Sequence, residues 1–236
     1  MAIGRDVLEL QAIINYNFAD ISYLESAVTH ASYTNEQRTR GILAEANERL
    51  EFLGDAVLQI VISEHLYSNY KRYREGALTK MRQQIVCEST LERIANKISL
   101  GEFLNIGHGE ELTDCRRRPK ILADALEAVI GAVYLDSTSS GGDAYKDLVL
   151  NLFADEINKS NEKNDYKTML QQLAEQDGAS LLEYRIIEVT GPEHKKHFTI
   201  AAYVNNNEVG RGSAPTKKSA EMQAAKMALR LFGVNV

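Results

Sequence analysis

From the first residues to about Glu156, apolar positions recur at spacings of three and four, which predicts a succession of helices. Val7, Leu8, Leu10, Ile13 and Ile14 suit a short first helix, and Ile21 to His30 a second. The polar run 31–46, ASYTNEQRTRGILAEA, reads as a loop or a weak extra helix. A long helix follows and ends near Tyr70, with Leu50, Leu53, Val57, Ile60 and Val61 gathered on one side for burial. After a polar break at Arg72–Gly76, LTKMRQQIVCESTLERIANKI supplies one or two more helices, and Glu102–Lys120 is irregular and charged. Ile121 to Asp136 is apolar nearly throughout, and a Ser/Gly turn at Ser137–Gly142 separates it from a last helix through Ile157.

Beyond that point the period changes. The segment 158–164, NKSNEKN, lacks apolar residues and is expected to be a linker between domains 1–157 and 165–234. Tyr166 to Gln176 is helical in pattern; LLEYRIIEV, HFTIAAYVN and EVGRGSAP then read as strands, with turns at Gly191–Pro192 and Asn205–Asn207. A closing helix from Lys217 to Phe232 turns Ala220, Ala224, Met227, Ala228 and Leu231 inward. The expected fold class is an all-α N-terminal domain joined to an α+β domain of order α-β-β-β-α.

Two helices carry acids in unusual places. In NERLEFLGD (Asn47–Asp55), Glu48, Glu51 and Asp55 fall within an arc of roughly 60° at the helical repeat. Like charges on adjacent turns weaken a helix, so a bound cation would offset the repulsion; a solvated helix face is the plainer alternative. In ILADALEAVIGAVYLD, Asp124 and Glu127 are the only charges before the final Asp136, with no polar face to shelter them. Buried carboxylates are normally neutralised, hydrogen-bonded or metal-bound. Two such helices can converge on one hard, oxygen-ligated cation.

Composition narrows the picture further. The 236-residue chain has a net charge of −6, unpromising for a nucleic-acid binder until it is divided. Residues 1–164 hold 18 Lys+Arg against 25 Asp+Glu, whereas residues 165–236 hold 9 against 8. The acidity belongs to the half with the carboxylate helices, and local clustering of positive charge is what bears on nucleic acid. Cys87 and Cys115 have no paired spacing, which suits a reducing compartment, with Cys87 expected as a buried small hydrophobe. No run of eighteen apolar residues and no signal-peptide pattern is present, so the expected location is cytoplasmic, with no membrane association.

NERLEFLGD, REGALTKMR (Arg74–Arg82) and ILADALEAVIGAVYLD, in that order, resemble bacterial ribonuclease III, the endonuclease of double-stranded RNA. GPEHKKHFTI and TKKSAEMQAAKMAL resemble its double-stranded-RNA-binding domain, so the likeness covers nearly the whole chain. The resemblance implies a catalytic domain at 1–157 and an RNA-binding domain at 165–234. It assigns catalysis to Asp55 and Glu127, metal coordination to Glu51, Asp124, Glu127 and Asp55, and cleft positions to Glu48 and Glu75. It implies Mg2+, with Mn2+ as a substitute. It also implies a homodimer in which Phe52 plugs a socket in the partner subunit. Gln171, Glu175, His194, Lys217 and Lys218 fall on RNA-contacting positions.

The implied reaction is hydrolysis of duplex RNA to 5′-phosphate and 3′-hydroxyl ends with short 3′ overhangs, in processing of ribosomal RNA precursors and other structured transcripts. Three departures stand out, one being a segment from Thr34 to Ala46 that is longer than in some relatives. Lys120 replaces a common Ser before ILAD, and GRGSAPTKK alters the usual glycine-rich lead into the lysine pair. Arg116–Arg118 with Lys120 is expected as a solvated loop, and His30 and His65 as packed or surface residues. A non-cleaving RNA-binding relative is the competing reading, against which all six acids speak. A small-molecule phosphohydrolase would leave the C-terminal domain unexplained.

Overall fold

The helix from Pro119 to Ser139 is apolar on nearly every side, and a helix of that kind must lie at the centre of its domain. The computed structural model describes residues 4–71, 73–176, 181–192 and 195–234, without the side chains of 160–165 and 176. In chain order the helices are α1 (Val7–Ile14), α2 (Ser22–Ala27), α3 (Ala31–Thr39), α4 (Glu48–Asn69), α5 (Glu75–Ile85) and α6 (Glu88–Lys97). They continue as α7 (His108–Glu111), α8 (Pro119–Ser139) and α9 (Ala144–Gln176), with 3-10 turns at Leu100–Phe103 and Cys115–Arg117. Strands β1 (Leu182–Thr190), β2 (His197–Val204) and β3 (Asn207–Ala214) and helix α10 (Lys217–Leu231) complete the chain. Two units emerge, one of Met1–Lys71 with Leu78–Ser160, the other of Arg72–Ala77 with Asn161–Val236.

In the first unit α8 packs along α4 and is flanked by α6 and α2. Leu126, Val129, Ile130 and Val133 of α8 have no exposed surface, and Leu58, Ile62 and Leu66 of α4 are equally enclosed. Each such side chain contributes about 1.5–3 kcal/mol of transfer free energy. Two glycines allow the helices to meet backbone to backbone. A Cβ on Gly54 would lie 1.7 Å from the carbonyl oxygen of Glu127, and one on Gly131 would lie 2.4 Å from that of Leu50. No residue with a side chain fits either place.

Asp136, at the far end of α8, is only 3% exposed. It accepts hydrogen bonds from the Tyr16 hydroxyl (2.7 Å) and from the backbone N–H groups of Ala19 (3.0 Å) and Asp20 (2.8 Å). A buried carboxylate with three donors is satisfied, and here it ties the chain after α1 to the central helix. Burial and that carboxylate together hold the Tyr16 hydroxyl well above its ordinary pKa.

Several sequence expectations change. The run 31–46 opens with a true helix, α3, whose first turn is capped by the His30 ring accepting from Ser32 N–H. Ile60 of α4 is exposed rather than inward-facing. Cys115 is the buried thiol, whereas Cys87 is partly exposed at the N-cap of α6, near the Ser89 and Thr90 hydroxyls. Residues 158–164 are helical within α9; the segment contains no glycine or proline to end a helix.

The second unit is an antiparallel sheet of order β1-β2-β3 backed by helices. Ile186 stands opposite Ile200, and Ala202 opposite Gly210. The β2–β3 turn places Asn205 and Asn206 at φ 50° and 64°, a left-handed pair that asparagine tolerates and a two-residue hairpin needs. Leu170 of α9 joins Ala202, Ala224, Ala225, Ala228 and Leu229 in the core. The inner face of α10 is therefore Ala220, Ala224, Ala225, Ala228 and Leu229; the expected Met227 and Leu231 are exposed. α10 comes so close to β3 that a Cβ on Gly210 or Gly212 would meet helix backbone at 2.3 Å.

Candidate metal centre and nucleic-acid surface

The α4–α8 crossing brings acids from two helices together. Gly54 meets the backbone of Glu127 itself and Gly131 that of Leu50, the neighbour of Glu51, so both acids spring from the point of closest approach. Glu51, Asp124 and Glu127 each offer a carboxylate oxygen, and these oxygens lie within 4.8 Å of one another. All three residues are half-buried. Glu48 and Glu51 occupy the first turn of α4, where the helix dipole favours negative charge and offsets part of the repulsion.

The electrostatics are those of a site short of positive charge. Burial pushes the Glu127 carboxyl up to about 8, helped by the charges of Asp55, Asp124 and Glu51. Glu51 is raised by burial and by Asp124, and Asp124 by burial, with Lys120 opposing. Three oxygen donors with no nitrogen or sulfur among them, partly withdrawn from water and mutually repelling, fit a hard divalent cation.

Asp55 is not one of the three. It sits one turn further along α4, exposed, and accepts a hydrogen bond from Gln59 Nε2 (3.3 Å). Its charge nonetheless helps to raise Glu127. Glu48 is exposed at the start of α4, and Glu75 is exposed at the start of α5; neither belongs to the group. Phe52 is 80% exposed, unusual for so large a ring. It borders a hollow of about 650 Å³ shared with Tyr23, Leu50, Leu53 and Leu135.

One neighbour escapes a reading of acids alone. Helix α8 begins at Pro119, two residues before the expected start, so Lys120 is inside its first turn and its Nζ lies 3.5 Å from Asp124 Oδ2. The i, i+4 spacing of the two was the available signal. Glu88, the first residue of α6, and His30 also act electrostatically on Asp124. The arginine run is only partly solvated. The Arg116 side chain, 17% exposed, donates to Glu111 at 2.8 Å and to the carbonyls of Gly101 (3.0 Å) and Leu104. It is a structural clamp, because burial without those acceptors would be costly. Arg117 is open to solvent, and Arg118 binds Glu110 at 3.1 Å.

In the second unit, Gln171 and Glu175 are exposed one turn apart on α9, with Gln171 Nε2 donating to Glu175 Oε1 at 2.9 Å. Lys217 and Lys218 are exposed in the first turn of α10, where Thr216 caps the helix by accepting from Ser219 N–H at 3.2 Å. A capped N-terminus with two lysines suits a phosphate. Lys217 Nζ also stands 5.8 Å from the centre of the Phe198 ring. His194 lies outside the described residues.

Comparison with known proteins agrees across both units. Residues 20–157 match the family described as Ribonuclease-III-like, and residues 166–231 match the double-stranded RNA binding motif. The chain is 44% identical over 228 residues to ribonuclease 3 of Natranaerobius thermophilus, covering 96% of each. It is 42% identical over 233 residues to that of Clostridium tetani, covering 98% of this chain and 96% of the relative. A solved nuclease domain of ribonuclease III from Campylobacter jejuni superposes with TM-score 0.57 at 36% identity, covering 64% of this chain and 98% of that one. Among the described residues, no helix is long and apolar enough to cross a membrane. With a half-buried acid triad at a glycine-mediated helix crossing in one unit and a duplex-RNA-binding fold in the other, the chain belongs to the ribonuclease III family of endoribonucleases.

Proposed function

We propose that this protein hydrolyses double-stranded RNA with Mg2+ as its working cation, leaving 5′-phosphate and 3′-hydroxyl ends with short 3′ overhangs. Its substrates are ribosomal RNA precursors and other structured transcripts, and its place of work is the cytoplasm. The observation that carries the reading is the meeting of Glu51, Asp124 and Glu127 within 4.8 Å. Glu51, Asp124 and Glu127 would hold the cation, with Asp55 as a further ligand from the next turn of α4. A bound Mg2+ supplies an activated water and a clamp on the scissile phosphate.

The chain's own side chains supply the rest. Asp55, hydrogen-bonded only to Gln59 within the described contacts, orients water at the open side of the site. Glu127 must lose the proton that burial helps it retain before it can act as a ligand. Glu48 lines the approach, and Glu75 acts through water or on RNA. Gln171, Glu175 and His194 face successive minor grooves of an A-form duplex, while Lys217 and Lys218 take phosphate, which suits recognition by shape. The solved Campylobacter jejuni nuclease domain is described as having a region involved in dimer formation. The same arrangement here would seat Phe52 in the hollow of a second copy, making a homodimer that cuts both strands. Residues 1–157 would be the catalytic part, 165–234 the RNA-binding part, and 158–164 the join.

The test is a cleavage assay on end-labelled duplex RNA with Mg2+, with EDTA, and with single-stranded RNA of the same sequence. Cleavage of the duplex alone, with Mg2+ alone, and ends that accept ligation to a 3′-hydroxyl are expected. Tight duplex binding with no cleavage at saturating Mg2+ or Mn2+ would establish a non-cleaving relative instead.

A further inference from the structure

Lys120 has no reason to be where it is on helix grounds. It lies in the first turn of α8, where the dipole disfavours a cation, and it precedes its acidic partner, the weaker order for an i, i+4 pair. Its side chain is 74% exposed whereas that of Asp124 is 21% exposed, so the ammonium reaches from solvent toward a sheltered acid. Exposed pairs of this kind contribute little to folding. Its charge nevertheless bears on all three acids of the group, opposing the upward shift at Glu51, Asp124 and Glu127. One ammonium thus bears on all three acids, with His30 adding to its effect at Asp124 alone.

We propose that Lys120 is a built-in counter-ion of the acidic group, which competes with the divalent cation for Asp124 and sets how tightly that cation is held. This rests on the metal-binding reading given above. In the cation-free protein the ammonium neutralises part of the repulsion and keeps the Asp124 carboxylate directed toward the cluster. When a divalent ion enters, the ammonium must leave Asp124 Oδ2 or share it, and two positive charges a few ångströms apart repel. The long exposed stem lets it withdraw without disturbing the core. The consequence is a cation that is held less tightly than three carboxylates alone would hold it, and so exchanges more freely.

The experiment is calorimetric titration of Mn2+ into the full-length RNA-free protein at fixed pH and ionic strength, for wild type, Lys120→Met and Lys120→Arg. Lys120→Met is expected to bind Mn2+ about three- to tenfold more tightly, the effect of removing one like charge beside a water-exposed site. Lys120→Arg should stay close to wild type. A companion melting curve should show a larger Mn2+-induced rise in Tm for Lys120→Met than for wild type. Wild type binding Mn2+ while Lys120→Met binds it equally or less tightly overturns the role of Lys120 alone. Absence of Mn2+ binding by both overturns the metal site together with it.

Discussion

Glu127→Gln separates the chemistry of the acid group from its contribution to stability, because the amide keeps the shape and removes the charge. In the cation-free wild type, burial and three acidic neighbours hold Glu127 up to about 8 against an ordinary value of 4.5. The folded protein therefore keeps a proton that the unfolded chain has released. Any stability from that proton is complete below pH 4.5 and is lost as pH rises through about 8. Taken at face value the shift is worth about 5 kcal/mol. The site is open to water and the neighbouring charges are partly screened, so about 2 kcal/mol is the figure to expect. Urea denaturation in EDTA should find wild type and Glu127→Gln nearly equal at pH 5. At pH 8.5 the variant should be more stable by about 2 kcal/mol, since glutamine never ionises. The same variant should bind duplex RNA normally and fail to cleave it. Equal stability of the two proteins at both pH values would refute the buried-charge argument, and retained cleavage would remove Glu127 from the chemistry.

Gly54→Ala should destabilise the first unit by about 3 kcal/mol in urea and abolish Mn2+ binding, because a methyl group 1.7 Å from the Glu127 carbonyl forces α4 and α8 apart; a well-folded variant with normal binding would show that the crossing does not set the site. Asp136→Ala strands the Tyr16 hydroxyl and two backbone N–H groups, and should cost about 3 kcal/mol with cation affinity unchanged, measured by the same two methods. Removing the residues after Lys163 should weaken duplex binding and flatten its salt dependence, since the lysines at the start of α10 leave with the second unit. An unaltered slope of log affinity against log salt would put the phosphate contacts in the first unit.

The helical half was legible because its apolar spacing is strong, and the sheet half because its turns carry glycine, proline and a run of asparagines. Asp124 and Glu127 could be picked out because α8 has no polar face to shelter them, whereas Glu51 had a solvated helix face as an alternative and was singled out by the family resemblance. Sequence spacing says which acids share a face of one helix, but not how far a face extends toward another helix. Hence Asp55 shares a helix face with Glu51 in the sequence, whereas only Glu51 falls in the 4.8 Å group. Arg116 was misread for a related reason: charge in an irregular segment suggests solvent, and only the tertiary structure shows carbonyls of Gly101 and Leu104 waiting for the guanidinium. Met227 and Leu231 were misassigned because α10 lies too close to Gly210 and Gly212 for long side chains, so alanines took the inner face. Lys120 was noticed as a departure, yet its partner depended on α8 starting at Pro119, a boundary that apolar periodicity does not fix.

The acid group and the core beneath it are one construction. Carboxylates repel, and no pattern of acids by itself draws two helices together; the attraction comes from the apolar surfaces of α4 and α8, whose shared core includes Leu58, Ile62, Leu126 and Val129. How close the acids come is then decided by Gly54 and Gly131, the places where backbone meets backbone. Larger residues there would widen the crossing and relax the repulsion, with a gain for the acids and a loss for the cation. Smallness at the crossing therefore converts hydrophobic burial into electrostatic strain that a divalent ion relieves. From this follows an ordering that a single set of melting curves can check. In EDTA the wild type should melt below Glu127→Gln at alkaline pH, and saturating Mn2+ should reverse that order, because only the wild type has the third carboxylate to gain from it. An order that Mn2+ leaves unchanged would mean that the strain in the acid group is not what the cation relieves.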